Sequence, residues 1–432
     1  RAWTGSSSRN QPSFGLHRTL PTTPSGSPPW IHLVPRIHVP TVYFYRPNGS
    51  PDFFHADPLR RALADVLVPF YPVAGRLVPD GSGRLELLCN GEGVMYVQAE
   101  SSAAVEDCGD FTPGPRFRHL VPAVDNSGDV SDHPLLLVQV TRFRCGGVCL
   151  GVGLHHAVAD GHSAINFINT WSDVARGLSV GVRPFLDRTL LRARTPPAPA
   201  FHHVEYDPPP CMLPRLPHTQ QPKDPATARF YVGADMINSL RARNGDGRRY
   251  TTYETLAAHI WRCACAARGL AAEQPTKLYI ATDGRTRLSP PLPPGFLGNV
   301  LFTATVVATA GEVGGGSPAC TLGRIRGAIR ENGGRVPEIG AGLFGGAGGP
   351  GPPGAGVPDV RVPQPERGEL GAACPSTRRT SGGGGRCSWG RGAWRSRGWR
   401  TWCGAPAATA AWTCLSACGR ITCSAFGRSC MR

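Results

Sequence analysis

The segment covering residues 135–175 constrains the fold of this chain more than any other. Apolar runs at residues 135–140 and 148–154 predict two buried strands joined by a short polar turn. From 163 to 175, apolar residues recur with helical spacing and predict an amphipathic helix. The string HHAVADG, residues 155–161, stands between the second strand and the helix. Regular elements on both sides hold such a turn rigidly, so the segment predicts a positioned catalytic group.

His156 is the candidate base of this turn. Histidine has an unperturbed pKa of about 6.5, so it is neutral yet basic at cellular pH. A bland alternative is that His155, His156 and His162 are polar turn residues or metal ligands. A metal site needs further ligands at compatible spacing, and only Asp160 accompanies the histidines. We therefore predict catalysis and no metal.

Strand and helix patterns alternate along the rest of the chain, which predicts an α/β (α+β) fold. Two patterned blocks, residues 31–180 and 227–331, flank a proline-rich crossover at 181–226. Further strands are predicted at 39–45, 84–88, 94–97, 278–282 and 300–307, and helices at 56–68 and 253–268. Scattered cysteines, no signal peptide and no long apolar run predict a cytoplasmic protein without a membrane span.

The HHxxxDG string resembles the signature of CoA-dependent acyltransferases, and most of all that of the plant BAHD family. Other segments resemble the hydroxycinnamoyl-CoA:shikimate/quinate branch of that family. They are residues 34–45, 67–76, 89–94, 184–191, 253–268, 277–287 and 294–299. The resemblance runs from about residue 31 to about 331. Motifs spread over that length are far more specific than one HxxxD string.

The resemblance implies a two-domain, chloramphenicol acetyltransferase-like fold with its active site in a channel between the domains. Residues 31–180 would form the N-terminal domain, 181–226 the crossover, and 227–331 an incomplete C-terminal domain. The implied protein is a monomer. Its partners are acyl-CoA, as co-substrate, and a small acceptor such as shikimate or quinate, with no permanently bound cofactor.

The implied mechanism makes His156 the general base. It would take a proton from an acceptor hydroxyl or amine, which attacks the thioester carbonyl of acyl-CoA. The resemblance makes Asp160 structural, with its carboxylate turned away and paired with Arg285. Gly161 would permit a backbone shape that a side chain blocks. A direct proton relay through Asp160 is the alternative role.

Three further residues are candidate substrate contacts. Tyr43 aligns with a tyrosine near the acceptor of hydroxycinnamoyltransferases, and His38 lies on the same segment. Asn299 ends the Gly-Asn motif. The alternative for Tyr43 is a strand aromatic packed in the core. This chain carries Val39 where the family often has threonine, so recognition of shikimate is open.

The C-terminal tail differs from the rest of the chain in composition. After Glu369 there is no Asp, Glu or Lys, yet ten arginines, seven of the 15 cysteines and five of the nine tryptophans lie there. A basic aromatic arm could bind nucleic acid, and irregular cysteines could form disulfides. A third interpretation is GC-rich coding sequence translated out of frame, which overproduces Gly, Ala, Arg, Pro, Cys and Trp.

Back-translation favours the third interpretation. Re-read in another frame, residues 374–385 yield DFGWG, the second BAHD signature, and residues 336–347 yield an amphipathic helical string typical of the family. Residues 25–30 likewise yield a family-like word. We therefore interpret residues 1–30 as an aberrant, frame-shifted N-terminus. Residues 332–432 are interpreted as a frame-shifted, disordered tail, and we predict no nucleic-acid partner.

Two alternatives to a BAHD acyltransferase stay open at this point. Peptide-condensation domains share HHxxxDG but use thioesters on carrier proteins. The matches at 34–45 and 277–299, with no carrier module in the sequence, disfavour that class. The other alternative is a catalytically inactive, frame-shifted family member, since DFGWG is absent from the chain as written.

Overall fold

The computed structural model describes most of residues 36–342 and two short terminal strands. The described ranges are 7–9, 36–51, 53–80, 85–109, 111, 115–124, 128–191, 202–208, 210, 226–342 and 412–418. Within them the strands are β1 Ser7–Arg9, β2 His38–Tyr45, β3 Arg76–Pro79, β4 Leu85–Leu88, β5 Met95–Ser101, β6 Leu136–Phe143, β7 Val148–His155, β8 Ala226–Val232, β9 Pro275–Asp283, β10 Leu301–Thr309 and β11 Trp412–Cys418. The α-helices are α1 Ala56–Leu67, α2 Gly161–Ala175, α3 Ala234–Ala242, α4 Thr252–Ala267, α5 Ala310–Gly315 and α6 Pro318–Gly342.

The described chain divides into two compact units. The first takes the residues up to 191 together with 292–299, and the second takes 202–291, 300–342 and 412–418. The block 227–331 predicted from the sequence includes 292–299, so this short return into the first unit was not predicted. Local contacts explain it: Phe185 bridges Phe296, and the Leu297 amide donates to the Phe185 carbonyl at 2.9 Å.

The first unit is built on a five-stranded mixed sheet in the order β1-β5-β6-β7-β2. The β5–β6 pair is parallel and the other pairs are antiparallel. Helices α1 and α2 pack their apolar residues into the core of this unit. The Trp171 indole, fully enclosed there, donates to the Leu59 carbonyl at 3.0 Å and ties the two helices together.

The register of β2 against β7 positions the HHAVADG turn. His38, the first residue of β2, pairs with His155, the last residue of β7. One residue later, the His156 amide donates to the Ile37 carbonyl at 2.9 Å. Since β7 also pairs with β6 on its other side, the chain enters the turn from a strand held on both edges. The position of His156 at the start of the turn is therefore determined by β7, a strand with hydrogen-bonded neighbours on both edges.

The second unit packs α4 and α6 around the β9–β10 hairpin. Leu256, Ile260 and Trp261 supply much of its core from α4. A capping box begins that helix: the Thr251 hydroxyl accepts from the Glu254 amide at 3.1 Å, and Glu254 accepts from the Thr251 amide at 2.7 Å. A second pair, β8–β11, completes the described strands of this unit.

Most predicted elements between 36 and 331 are confirmed, with boundaries shifted by a few residues. Two described elements reach into or lie in the segment from residue 332 that was predicted to be disordered, and the prediction for that segment as a whole stays a prediction. Helix α6 continues to Gly342, because extending a helix costs less than starting one, and β11 adds to β8 in antiparallel register. In the N-terminal segment, β1 pairs with β5. The re-read words at 25–30 and 374–385 lie outside the described residues, so the frame-shift interpretation stays a prediction.

Candidate active site

His156 is the first residue after β7 and is only 6% exposed. Its side chain forms a reciprocal pair with Asn299. The Asn299 Nδ2 group donates to the His156 carbonyl oxygen at 2.7 Å, and the Asn299 Oδ1 atom lies 3.1 Å from His156 Nδ1. The two residues are 143 positions apart in the chain, yet both belong to the first unit.

This pair determines where the proton of a neutral His156 lies. A carbonyl oxygen can only accept, so the nitrogen of the Asn299 amide must face the His156 carbonyl. The amide oxygen then faces Nδ1 and also can only accept, so Nδ1 carries the hydrogen. Nε2 of the neutral ring is left with the lone pair. It is the nitrogen that can take a proton from a substrate.

His155 has the opposite arrangement. The Ala157 amide donates to His155 Nδ1 at 3.2 Å, so a neutral ring carries its hydrogen on Nε2. Burial, with a smaller contribution from neighbouring His38, lowers the pKa of His155 to about 3. His155 is therefore neutral at cellular pH and serves the turn as a hydrogen-bond acceptor. The doubled histidine consists of one structural ring and one candidate base.

His38 supports the same region from β2. Its Nε2 donates to the Pro134 carbonyl at 2.7 Å, and its ring meets that of His155 edge-on with centroids 5.1 Å apart. Burial lowers the pKa of His38, which favours the neutral ring. These contacts give His38 a structural task beside the turn. Its predicted contact with the acceptor stays a prediction.

Tyr43 is not brought to His156 by the strand register. It pairs with Leu150, five residues from the end of β7 at His155, which at the rise of a strand is about 17 Å. His38 and Tyr43 also lie on opposite faces of β2, because they are separated by an odd number of residues. Tyr43 is half-buried against the core of the first unit. This packing corresponds to the alternative stated for it from the sequence.

Asp160 and Gly161 begin helix α2. Asp160 is 1% exposed and is the N-cap: its Oδ1 atom accepts from the Ser163 amide at 2.9 Å. A carboxylate also suits the positive end of the helix dipole. Gly161 is the first residue of the helix, and the special backbone shape expected for it stays a prediction.

Arg285 lies in the second unit, beside Asp283. Its Nη1 group is 3.1 Å from the Asp283 Oδ1 atom, which also accepts from the Arg285 amide. The pairing of Asp160 with Arg285 implied by the resemblance joins residues of the two units, and it stays a prediction.

Two residues that were not predicted from the sequence stabilise the HHAVADG turn and the segment 296–299. They are Ser163 and Arg188. The Ser163 hydroxyl accepts from the Gly298 amide at 3.2 Å and lies 3.1 Å from the carbonyls of Phe296 and Gly298. Arg188, which is buried, donates to the Val158 carbonyl at 2.8 Å. Burial lowers its pKa to about 10, so it stays charged at neutral pH. Ser163 could have been noticed as the third residue after an N-cap, whereas no sequence signal marks Arg188.

A family model described as the Transferase family matches residues 29–328. The chain belongs to this family, the BAHD acyltransferases. The BAHD fold also agrees with solved structures. Vinorine synthase superposes with a TM-score of 0.57 at 23% identity, over 76% of this chain and 75% of that one. TRI101 of F. sporotrichioides, complexed with coenzyme A and T-2, gives a TM-score of 0.61 at 16% identity, over 79% and 82%.

Two BAHD relatives are each similar to about two thirds of the chain. Shikimate O-hydroxycinnamoyltransferase of Nicotiana tabacum is 53% identical over 287 residues, 65% of this chain and 66% of that protein. A hydroxycinnamoyl-CoA:5-hydroxyanthranilate N-hydroxycinnamoyltransferase of Avena sativa is 55% identical over 300 residues, 66% and 67%. The chain thus matches about two thirds of the length of these relatives. These similarities lend no support to the inactive alternative.

The described residues contain neither a cluster of metal ligands nor a membrane-spanning helix. No group of three or more His, Cys, Asp or Glu side chains in the described ranges could hold a metal ion. None of the described helices is long and apolar enough to cross a membrane.

Proposed function

We propose that this protein transfers a hydroxycinnamoyl-type acyl group from coenzyme A to a hydroxyl or amine acceptor. Membership of the BAHD family supports acyl transfer. The names of the relatives support the acyl group: they include a shikimate O-hydroxycinnamoyltransferase, a 5-hydroxyanthranilate N-hydroxycinnamoyltransferase and a putrescine hydroxycinnamoyltransferase. Those three names cover both alcohols and amines, so the proposal names the acceptor only as a small nucleophile, with shikimate or quinate first.

The observation that carries the proposal is the His156–Asn299 pair. Because Asn299 binds Nδ1–H, Nε2 of His156 is the nitrogen able to accept a proton. In the proposed step, the acceptor O–H or N–H gives its proton to Nε2 while its oxygen or nitrogen bonds to the thioester carbonyl carbon. The tetrahedral adduct then expels the thiolate of coenzyme A, which takes the proton back from the imidazolium. No covalent acyl-enzyme is needed, since the thioester is already activated.

The remaining site residues have supporting roles in this proposal. Asp160 caps α2 and, in this proposal, does not relay protons. His38 supports His155, and the acceptor contact predicted for Tyr43 stays a prediction. The proposed enzyme is a cytoplasmic monomer with acyl-CoA as co-substrate.

The test is turnover of the purified 432-residue protein with p-coumaroyl-CoA. Release of free coenzyme A is followed with a thiol reagent, and products are identified by mass spectrometry with shikimate, quinate, 5-hydroxyanthranilate and putrescine offered separately. We expect transfer to at least one acceptor, and a loss of about 100- to 10,000-fold in kcat on His156→Ala. The matched control is His162→Ala, which removes a half-buried histidine from the same segment. Turnover retained by His156→Ala would refute the role of the base, and no transfer by the parent protein would favour the inactive alternative.

A further inference from the structure

We infer that Asn299 is a positioning residue that selects which nitrogen of His156 accepts the substrate proton. The inference rests on the proposed function, and it replaces the substrate contact predicted for Asn299 from the sequence. It concerns the side-chain amide, whose two ends contact two different groups of one residue: the ring and the main-chain carbonyl of His156.

The selection is needed because a histidine ring in water favours the other tautomer, with its hydrogen on Nε2. In that form Nδ1 would have the lone pair, and it would face the lone pairs of the Asn299 oxygen. Asn299 is 8% exposed and His156 6%, so water competes poorly for either group. A buried hydrogen bond lost without replacement is costly. The Nδ1–H form is therefore strongly favoured at this site.

A neutral amide at this position has a property that a carboxylate lacks. Nδ1–H donates to Oδ1 both in the neutral ring and in the imidazolium formed when Nε2 takes a proton. The orientation of His156 is thus the same before and after proton uptake. A carboxylate could also accept from Nδ1–H, but it could not donate to the His156 carbonyl, and its charge would favour the imidazolium. Asn299 therefore fixes the ring without holding a proton on the base.

The position of Asn299 is itself determined by the first turn of α2. Ser163, whose amide binds the cap residue Asp160, holds the neighbouring Gly298 through its hydroxyl. The Asp160 amide also donates to the Gly298 carbonyl at 3.3 Å. The same helix start that ends the HHAVADG string therefore fixes the segment that carries Asn299. Asp160 and Ser163 therefore help to orient His156 indirectly, because they hold the segment that carries Asn299.

The experiment compares Asn299→Ala and Asn299→Asp with a matched control, Asn244→Ala. Asn244 is buried to a similar degree, 6% exposed, but lies in the second unit. Proteins labelled with ¹⁵N-histidine are studied without substrate, and the ring nitrogens of His156 are assigned with His156→Gln. Long-range ¹H–¹⁵N spectra then distinguish the Nδ1–H from the Nε2–H tautomer. The same proteins provide kcat, KM and the pH profile of kcat/KM.

We expect the Nδ1–H form in the parent protein and in Asn244→Ala, and a shift towards Nε2–H in Asn299→Ala. Loss of the two hydrogen bonds should lower kcat about 10- to 100-fold while KM for acyl-CoA changes less than about threefold. Asn299→Asp keeps an acceptor for Nδ1–H, so we expect the parent tautomer with the acid limb of kcat/KM moved to higher pH.

Several outcomes would overturn the inference. They are an Nε2–H tautomer in the parent protein, or an unchanged tautomer and pH profile in both Asn299 variants. If Asn299→Ala does not fold, Asn299→Asp with an unmoved acid limb would refute the inference by itself. Failure of the proposed function is seen separately. A parent protein with Nδ1–H at His156 but no acyl transfer would refute the reaction and leave the positioning role standing.

Discussion

Two glycines in the strand that carries the histidines should differ sharply in their tolerance of a methyl group. Gly151 and Gly153 lie on the same face of β7, two residues apart, each paired with β2 and β6. A Cβ atom at Gly151 would overlap the Leu120 carbonyl oxygen and lie 2.8 Å from its carbonyl carbon. Ordinary carbon–carbon contacts are about 3.5–4.0 Å, so the backbone around Leu120 would have to move by about 1 Å.

The same atom at Gly153 meets only side-chain carbons at ordinary or slightly short distances. Val121 Cγ1 would lie 3.3 Å away, Leu137 Cδ1 3.4 Å and His38 Cβ 3.5 Å. Overpacking a core typically costs about 1–3 kcal/mol. We expect Gly151→Ala to lower the free energy of unfolding by about 3 kcal/mol. The atoms that the new methyl group meets belong to the Leu120 main chain, and they cannot move aside by a change of rotamer. Replacing a strand glycine by alanine recovers about 0.5–1 kcal/mol of chain entropy. Gly153→Ala should therefore stay within about 1 kcal/mol of the parent.

The assay is urea unfolding followed by circular dichroism, combined with hydrogen exchange of the peptide covering residues 148–155. Exchange resolves the stability of β7 even if the two units unfold in separate steps. We expect Gly151→Ala to lower the free energy of opening at β7 by at least about 2 kcal/mol more than Gly153→Ala does. Equal protection of β7 in the two variants would refute the reasoning, since it rests on the close approach of the Leu120 carbonyl to Gly151.

Two further predictions concern the histidine pair and the second unit. The unfolded chain binds a proton near pH 6.5, whereas the pKa of buried His155 is about 3, so its contribution makes the free energy of unfolding fall as pH drops through this window. His155→Asn should flatten that decline by up to about 1.4 kcal/mol per pH unit, measured by urea unfolding from pH 7 to 4; an unchanged slope would contradict a neutral His155. Thr251→Ala should destabilise α4 by about 1 kcal/mol through loss of its N-cap, seen as faster exchange over residues 252–267, and unaltered exchange there would argue against the capping box.

Local elements of this protein were predictable where apolar periodicity and local hydrogen bonding agree. The strands β6 and β7 and the helix α2 follow from short apolar runs on either side of HHAVADG, because burial of one face or run is a property of neighbouring residues. Composition did not predict the strand β11 in the Arg-, Cys- and Trp-rich tail. That strand pairs with β8, where Trp412 lies opposite Val232, 180 positions earlier, and the short-range pattern of the tail contains no trace of this partner.

By itself, the sequence determined that His156 stands just after a buried strand and that a helix follows within a few residues. Both facts depend on residues within about one turn or one strand. Only the tertiary structure decided the chemistry of His156, because the amide that sets its tautomer is 143 residues away and reaches it through a segment returning to the first unit. Hydrogen-bond partners in a folded protein are chosen by proximity in space. The difference between His155, a structural ring, and His156, the candidate base, therefore appears only once the chain has folded.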